Sequence, residues 1–353
     1  MATKFKPIQQ NNDVATTKTL LHEAIPLTGT IVSGTYTSDG NIKNYSHGMF
    51  QSVYDYPYLS SSANHIFDIA AGYSSKSALS GTSAVLQQDK KINIYNQMAQ
   101  VLVGHDSTGS ILEFDRAGDS SDSGTKMREV FFINFSRLIT KDEIKKESLT
   151  LTFLTGGTPG ARTPGAGVGD GTAKVISDYG SSTKYKTNSP AGEYGILYSG
   201  SAATADTGVG LLYYQAGIAV LTASIFDEKF GPPAGGLDTA SVNTILSGTN
   251  ITASCDGVRN AWQDLSFNNT TELNSTIYFC RINHNDFNYS SNPTYLSSSQ
   301  IRVKAKKTDQ PVSYITTVGL YSADKVLMAV AKLSEPLKKT PSNEFTLRVR
   351  LDY

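Results

Sequence analysis

Histidine side chains are the groups of this sequence that could most readily transfer protons or bind a metal ion. The five histidines are scattered, and no two of them are four residues apart, so they do not predict a helical zinc site. His105-Asp106 and His284-Asn-Asp286 would support acid–base chemistry only if folding brought a nucleophile or a substrate to them. We therefore expect these histidines to lie in loops or at the surface.

Carboxylates and glycines offer two further kinds of chemistry. The acidic cluster has a spacing that fits no calcium loop and comprises Glu113, Asp115, Asp119 and Asp122. The Gly-rich residues 155–172 lack the Gly-Lys-Ser/Thr ending and the following helix that phosphate binding requires. We predict no catalytic residue, no cofactor and no metal ligand, and hence a protein that is not an enzyme. A glycan-degrading enzyme is one alternative, because paired carboxylates such as Glu113 and Asp115 can hydrolyse glycosides.

The charge balance restricts the classes of partner. Lys plus Arg and Asp plus Glu number 31 each, so the formal net charge is zero and no global field favours nucleic acid or an acidic membrane. The most apolar segment, residues 211–226, is shorter than the roughly 20 residues of a spanning helix and is predicted to form buried strands. Basic residues near Met1 are followed by no apolar stretch, so we expect no export signal and no membrane insertion.

Two cysteines, Cys255 and Cys280, are too few for a disulfide framework in a chain of 353 residues. We predict two reduced thiols that pack as small hydrophobic groups. A single disulfide is the alternative.

The composition predicts a mainly β fold. Charged residues make up only 18% of the chain, and Ser, Thr, Asn, Gly and Tyr take their place. Thr and Tyr suit half-buried strands, whereas Ser, Asn and Gly suit turns. We expect two or three β-sandwich or meander units with a few short helices and long loops.

Four regions follow from the pattern along the chain. Residues 1–24 are polar and aperiodic, which predicts an extended N-terminal arm, and residues 25–154 predict a β-rich domain with one or two short helices. Residues 155–172 form a Gly/Pro-rich loop, a candidate contact loop because loops of that length are usually functional or mobile. Residues 173–353 predict a β-rich C-terminal domain that ends in an anchored strand.

Three short helices are predicted. Apolar residues three or four apart between Lys90 and Val103 predict a helix that closes at Gly104; they are Ile94, Tyr95, Met98, Val101 and Leu102. Thr140 and Glu143 have the spacing of a capping box, which predicts a helix to about Lys146. A third helix is expected from an N-cap at Asp238 to about Gly248, with Val242, Ile245 and Leu246 on one face.

Strands are predicted elsewhere by apolar runs and by alternation. Leu149, Leu151 and Phe153 share one face of a strand over residues 148–154. All structure after Gly248 is expected to be β. Further strands are expected at residues 129–135, 275–282, 300–305, 314–321, 326–333 and 345–353. In the last of these, one face carries Phe345, Leu347, Val349, Leu351 and Tyr353.

Aromatic residues within polar turns are the best candidates for an interface. Phe287, Tyr289 and Tyr295 lie in the stretch FNYSSNPTY, and Tyr54 and Tyr56 lie in an aromatic stretch over residues 45–58. Flat, partly apolar rings of this kind serve contact surfaces or carbohydrate binding. Packing beneath a loop is the alternative for Phe287, Tyr289 and Tyr295.

Several segments resemble virion structural proteins of contractile-tailed bacteriophages, especially those of cyanophages. They are residues 281–295 (RINHNDFNYSSNPTY), 314–321 (YITTVGLY), 327–334 (LMAVAKLS) and 347–353, with weaker likeness at 131–137, 141–146 and 211–220. The pattern Ile-Thr-x-Val-Gly-Leu-Tyr followed by Leu-x-Ala-Val-Ala-Lys is similar to modules near the tail tip, where baseplate and fibre-attachment proteins meet.

The resemblance implies a structural subunit of the virion, in the tail or baseplate, with no catalytic residues to carry over. Its partners would be other tail and baseplate proteins and copies of itself, assembled in the cytoplasm of the host cell. A carbohydrate-binding adhesin at a fibre tip is the main alternative function.

Overall fold

The structure is a computed structural model that describes residues 5–26, 39–81, 86–118, 126–155, 172–200, 208–226, 240–290, 292–298 and 300–353. Its elements confirm the prediction of a mainly β fold with few short helices. Most of the predicted contact loop, residues 156–171, and the predicted N-cap Asp238 lie outside the described residues.

The described helices are α1 Gln10–Asp13, α2 Gln88–Leu102, α3 Arg137–Thr140, α4 Ser181–Lys184, α5 Val242–Gly248 and α6 Ile251–Ala261. The described strands of the first half are β1 Val14–Pro26, β2 Ile42–Asn44, β3 Gln51–Tyr54, β4 His65–Tyr73, β5 Glu129–Phe135, β6 Glu143–Ile144, β7 Thr150–Thr155 and β8 Thr172–Ser177. Those of the second half are β9 Lys186–Ser189, β10 Gly192–Ser199, β11 Gly208–Tyr213, β12 Ile218–Thr222, β13 Trp262–Ile282, β14 Leu296–Ser297, β15 Gln300–Ile301, β16 Ser313–Tyr321, β17 Leu327–Lys339 and β18 Phe345–Asp352.

The chain divides into two compact units, which differ from the predicted domains. The larger unit is residues 21–271, and the smaller unit joins residues 1–20 to residues 272–353. Residues 155–172 are not a boundary, because β7 and β8 on either side pair from Thr150↔Ser177 to Thr155↔Thr172. The predicted arm also contains regular structure, since α1 and β1 lie within it and β1 pairs with β13.

One antiparallel sheet organises the larger unit, in the order β13-β7-β8-β10-β11-β12-β5-β4-β3-β2. The apolar segment 211–226 contributes the hairpin of β11 and β12, in which Tyr213 pairs with Ile218. Side chains of β5 are buried on both faces of the sheet, which matches its nearly continuous run of apolar residues. This sheet therefore supplies most of the core.

Helix α2 covers the sheet at β4. Gly72 makes the close approach possible, since a Cβ there would lie 2.8 Å from the Lys91 carbonyl oxygen. The helix ends at Leu102, and Gly104, the predicted closing residue, has φ +95° and donates its N–H to the Ala99 carbonyl at 2.9 Å. Val101 differs from the prediction because its side chain faces solvent.

The N-terminal caps predicted for the second and third helices were wrong. The predicted helix over residues 140–146 does not form, because α3 runs from Arg137 to Thr140 with Ser136 as its N-cap and Glu143 belongs to β6. Ser136 accepts from the Leu138 N–H, so an earlier cap starts the helix. The N-cap of α5 is Ser241, which accepts from the Thr244 N–H.

Helix α6 was missed, since only strands were predicted after Gly248. Asn250 caps it by accepting from the Ala253 N–H. Ile251, Cys255 and Val258 form its buried face, at a helical spacing of three to four residues. Helix α6 packs against β4 and β7, and α5 packs against α6.

The smaller unit contains three sets of paired strands. Strand β18 pairs with β13 from Ser275↔Asp352 to Ile282↔Phe345, β16 pairs with β17, and β14 pairs with β15. The predicted strand at 300–305 is short, since β15 ends at Ile301. The last strand is anchored: the backbone of Tyr353 exchanges two hydrogen bonds with Asn274, although its side chain is exposed.

Candidate interaction surfaces

The longest two-stranded element of the smaller unit is largely exposed. We call β16, β17 and residues 322–326 between them the ribbon. Only Ser313, Leu320 and Lys339 of β16 and β17 are buried, although both strands are rich in apolar residues. A two-stranded hairpin alone is marginally stable in water, so the ribbon needs further packing to be a stable element.

The end of the ribbon is apolar on its surface. Large exposed side chains at this end are Tyr321, Val326, Leu327, Met328 and Val330, of which Met328 is 71% exposed. Scattered exposed apolar residues are common, but a contiguous group of them marks an interaction site.

A cleft of about 850 Å³ runs along the ribbon within the smaller unit. Residues 313–323 form one wall, and residues 5–8 and 279–282 form other parts of it. We call it the ribbon cleft. Its volume lies near the upper end of the roughly 300–1,000 Å³ that ligand sites occupy. It can therefore accept several large side chains.

Ion pairs hold the N-terminal wall of the ribbon cleft in place. Lys6 Nζ lies 2.7 Å from Asp286 Oδ2, and Arg281 Nε lies 2.7 Å from Asp13 Oδ1. The ring of Phe5 packs edge-on against Tyr321, with centroids 4.9 Å apart. Residues 5–13 are thus fixed by contacts with residues far along the chain, which composition alone does not predict.

A buried lysine lies at the base of the ribbon. Lys339 Nζ donates to the carbonyls of His284 and Thr340 at 3.0 and 2.7 Å, and to Asn288 Oδ1 at 2.8 Å. Desolvation lowers the pKa of Lys339, while the charges of Asp286 and Glu344 oppose that shift. The three acceptors match the three protons of an ammonium group, so this residue joins the ribbon to residues 284–288.

The predicted interface residues of the smaller unit differ in exposure. Tyr289 is exposed and lines the ribbon cleft together with half-buried Phe287, whose carbonyl accepts from Ser313 Oγ at 2.6 Å. Tyr295 is half-buried at the end of a 3₁₀ turn and is not among the residues that line the cleft. The structure therefore brings Phe287 and Tyr289 together at one site, without Tyr295.

In the larger unit, Tyr54 and Tyr56 have separate roles. Tyr54 is half-buried and packs against Tyr58 and His65, with ring centroids 6.3 and 5.5 Å away. Tyr56 is exposed and lies in the loop of residues 55–64, which also exposes Tyr58 and Leu59. Tyr54 thus supports the loop from below, whereas Tyr56 is available for contact.

Backbone and side-chain hydrogen bonds close the 55–64 loop. The N–H of Asn64 donates to Asp55 Oδ1 at 2.6 Å, and its side-chain amide donates to Asp55 Oδ2 at 2.8 Å. The Tyr58 N–H donates to the Gly40 carbonyl at 2.9 Å. The loop therefore presents its apolar side chains in a fixed shape.

One serine, one aspartate and one histidine meet near this loop without forming a catalytic triad. Ser52 Oγ donates to Asp68 Oδ1 at 2.5 Å, and His65 Nε2 lies 2.8 Å from the same oxygen. A triad requires histidine between the nucleophile and the carboxylate, whereas here Asp68 lies between the other two. The arrangement does not activate Ser52.

The carboxylates considered for glycan hydrolysis line a cavity of about 200 Å³ in the larger unit. Lys126 Nζ lies 3.0 Å from Asp115, and both side chains are almost fully buried. Glu113 accepts from Ser74 Oγ at 2.5 Å and lies 3.5 Å from Arg128 Nε. Both carboxylates are engaged by neighbouring groups. Asp119 and Asp122 lie outside the described residues.

Asp178 is a buried carboxylate that was not singled out in the sequence. It accepts from the N–H groups of Glu147 and Leu149 and from the hydroxyls of Ser181 and Tyr214. Burial raises the pKa of Asp178, and these four donors act against that shift. Because both of its oxygens accept hydrogen bonds, Asp178 joins the residues that precede β7, helix α4 and the residue that follows β11 instead of offering a free base.

The remaining sequence candidates stay apart. His284 lies 3.1 Å from Glu344 at the surface, and His105 forms a bridge with Ile111. Cys255 is buried and donates to the Ile69 carbonyl at 3.2 Å, and burial raises the pKa of its thiol; Cys280 is half-buried, and both are free. Within the described ranges, no group of three or more metal-ligating side chains is found.

Comparisons with other proteins add no relative. No protein-family model, curated protein or solved structure matches the chain. Among the described helices, none combines the length and apolar character that crossing a membrane requires.

Proposed function

We propose that this chain is a structural subunit of a bacteriophage virion, in the tail or baseplate, and that it acts by protein–protein assembly. The observation that carries the proposal is the exposed ribbon, because an apolar two-stranded element with so few buried residues needs a partner to cover it. The resemblance of residues 281–295, 314–321 and 327–334 to virion proteins supports the same conclusion, since these segments form the ribbon and border its cleft.

Assembly would proceed through shape-complementary contacts with other tail and baseplate proteins and with copies of the chain. Interfaces of the obligate type bury on the order of 2,000 Å² or more, and aromatic residues near their centres dominate the binding energy. Several copies related by symmetry are expected in the virion, after assembly in the cytoplasm of the host cell.

Particles of the phage that encodes the chain provide the test. We expect mass spectrometry of purified virions to detect the chain, and cryo-electron microscopy to show density from neighbouring chains against the ribbon. A chain that is absent from virions and that purifies as an isolated monomer would refute the proposal.

A carbohydrate-binding adhesin is the second candidate, because Tyr56, Tyr58 and Tyr289 present exposed rings. A glycan array of the purified chain is the test. Binding that is lost in Tyr56→Ala or in Tyr289→Ala would favour this candidate, and an array without binding would count against it.

A further inference from the structure

The two units carry opposite charges although the whole chain is neutral. The smaller unit contains 14 Lys and Arg residues against 8 Asp and Glu residues, a net charge of +6. The larger unit contains 17 Lys and Arg residues against 23 Asp and Glu residues, a net charge of −6. Two smaller units of different copies repel each other, and so do two larger units, whereas a smaller unit attracts the larger unit of another copy.

The same complementarity is found at the two aromatic sites. The charged residues that line the ribbon cleft are Lys6, Arg281 and Lys325 against Asp13. The 55–64 loop has Asp55 as its only charged residue. Because Lys6 and Arg281 are already paired with Asp286 and Asp13, the excess positive charge of the cleft comes from Lys325, whereas the loop carries one carboxylate.

The loop exposes large apolar side chains, and the cleft has apolar walls and the volume to accept such side chains. Tyr56 and Leu59 are 56% and 86% exposed on a loop that its hydrogen bonds hold closed. A preformed loop loses little conformational entropy when it binds. The ribbon cleft offers about 850 Å³ beside Phe287, Tyr289 and Tyr314, which is sufficient for several large side chains.

We infer that the 55–64 loop of one copy docks in the ribbon cleft of a second copy. This inference rests on the proposed function, and it names the surfaces through which copies of the chain meet. The contact is heterologous, because each copy offers one loop and one cleft on different units. Such contacts generate closed rings when the rotation closes and filaments when it does not.

Sedimentation velocity of the full chain tests the contact. The double variant Tyr56→Ser/Leu59→Ser is expected to raise the dissociation constant of self-association at least tenfold. The matched control Val101→Ser/Leu138→Ser changes two residues of the same unit that are 63% and 62% exposed, and we expect less than a twofold change. Raising the ionic strength should weaken association of the wild-type chain, because the charges that attract are exposed.

Mixing two variants distinguishes a heterologous contact from a symmetric one. Tyr56→Ser/Leu59→Ser keeps its cleft, and Tyr289→Ser/Tyr314→Ser keeps its loop. Neither variant should associate alone, but an equimolar mixture should form a complex of one copy each that grows no further. All variants change exposed residues, and fluorescence of Trp262 during urea unfolding confirms that the larger unit is folded.

Three results would overturn the inference: a loop variant that associates as tightly as the wild-type chain, a mixture that forms no complex, or a wild-type chain that remains monomeric. If that monomeric chain were nevertheless found in virions, the proposed function would stand and only the loop-and-cleft contact would fail.

Discussion

The larger and smaller units of this protein differ in how many apolar side chains they bury. The contiguous hydrophobic core consists of residues between Ile42 and Phe267, all within the larger unit. Among the described residues of the smaller unit, the buried apolar side chains are Ile277, Ile282, Leu320 and Val349. The larger unit thus has a contiguous core, whereas the smaller unit leaves most of its described apolar side chains partly or fully exposed.

Among the described residues, each unit also has one lysine that is completely buried, and the two lysines are satisfied in a similar way. Lys91 Nζ donates to the carbonyls of Leu86, Leu246 and Thr249 at 2.9, 2.6 and 2.6 Å. Lys339 has the same number of oxygen acceptors in the smaller unit. In each unit the buried ammonium group is thus satisfied by three oxygen acceptors, whereas the two units differ in how many apolar side chains they bury.

Truncating one apolar side chain in each unit should give the largest difference between the units. Phe132→Ala deletes a buried ring that packs on Phe114, and we expect a loss of about 3–5 kcal/mol in the free energy of unfolding of the larger unit. Urea denaturation followed by Trp262 fluorescence measures it, because this single tryptophan lies in the larger unit.

The matched change in the ribbon is Ile315→Ala. Ile315 is half-buried, so we expect a loss of about 1 kcal/mol or less in local stability, measured by hydrogen exchange of β16. A cost for Ile315→Ala as large as that for Phe132→Ala would show that the ribbon has a closed core of its own.

The ion pairs of the two units should differ next in size. Lys126→Met leaves the buried Asp115 without its ammonium partner and is expected to cost about 3–5 kcal/mol. Arg281→Met breaks the ion pair with Asp13. The Arg281 side chain is 54% exposed, so we expect a loss of at most about 1 kcal/mol in stability. Urea denaturation measures the first variant, and hydrogen exchange of β13 measures the second. Equal losses of stability in the two variants would contradict the expected difference between a buried and an exposed ion pair.

Lys91 should make the stability of the larger unit depend on alkaline pH. Burial lowers the pKa of Lys91 to about 8, from 10.5 in an exposed lysine, although its three carbonyl contacts oppose this shift. Between these two pH values the unfolded chain binds the proton more tightly than the folded chain. The free energy of unfolding of the wild-type chain should therefore rise between pH 8 and 10.5.

Lys91→Met is the reference for this pH dependence, since it removes the titrating group. At neutral pH the variant should itself lose about 1–3 kcal/mol, because it leaves buried carbonyl groups without donors. Urea denaturation of both proteins across the pH range gives the difference. A difference that stays constant from pH 8 to 10.5 would show that the folded and unfolded states bind this proton equally.

The smallest expected effect is at the end of the ribbon. Met328→Ser should change the stability of the isolated chain by no more than about 0.5 kcal/mol, because the side chain is 71% exposed. The same variant should reduce incorporation into assembled particles. A variant that is clearly unstable alone would indicate that Met328 packs within the chain.

Periodic patterns of apolar residues predicted those strands and helices that are defined by residues close together in sequence. Alternation identified the buried face of β7 through Leu149, Leu151 and Phe153, and helical spacing identified α2. Competition between local signals caused the errors, since Ser136 caps a helix before Thr140 can. Helix α6 was missed, although Asn250 followed by Ile251, Cys255 and Val258 is a readable signal.

The two units and the ribbon cleft depend on contacts that local patterns do not contain. Lys6 meets Asp286 across 280 positions of sequence, and Lys91 meets Leu246 across 155. The aromatic residues Phe287, Tyr289 and Tyr56 are chosen as interface candidates from their types and turn context, because aromatic side chains contribute strongly to contact surfaces. Their separation into a cleft and a loop required the fold.

Hydrogen exchange of the ribbon, in the isolated chain and in assembled particles, tests most directly whether another molecule completes the smaller unit. If the ribbon is covered on assembly, amides of residues 313–339 exchange rapidly in the isolated chain and become protected in particles, while amides of β4 and β5 are protected in both. Equal protection of the ribbon in the two states would contradict this prediction.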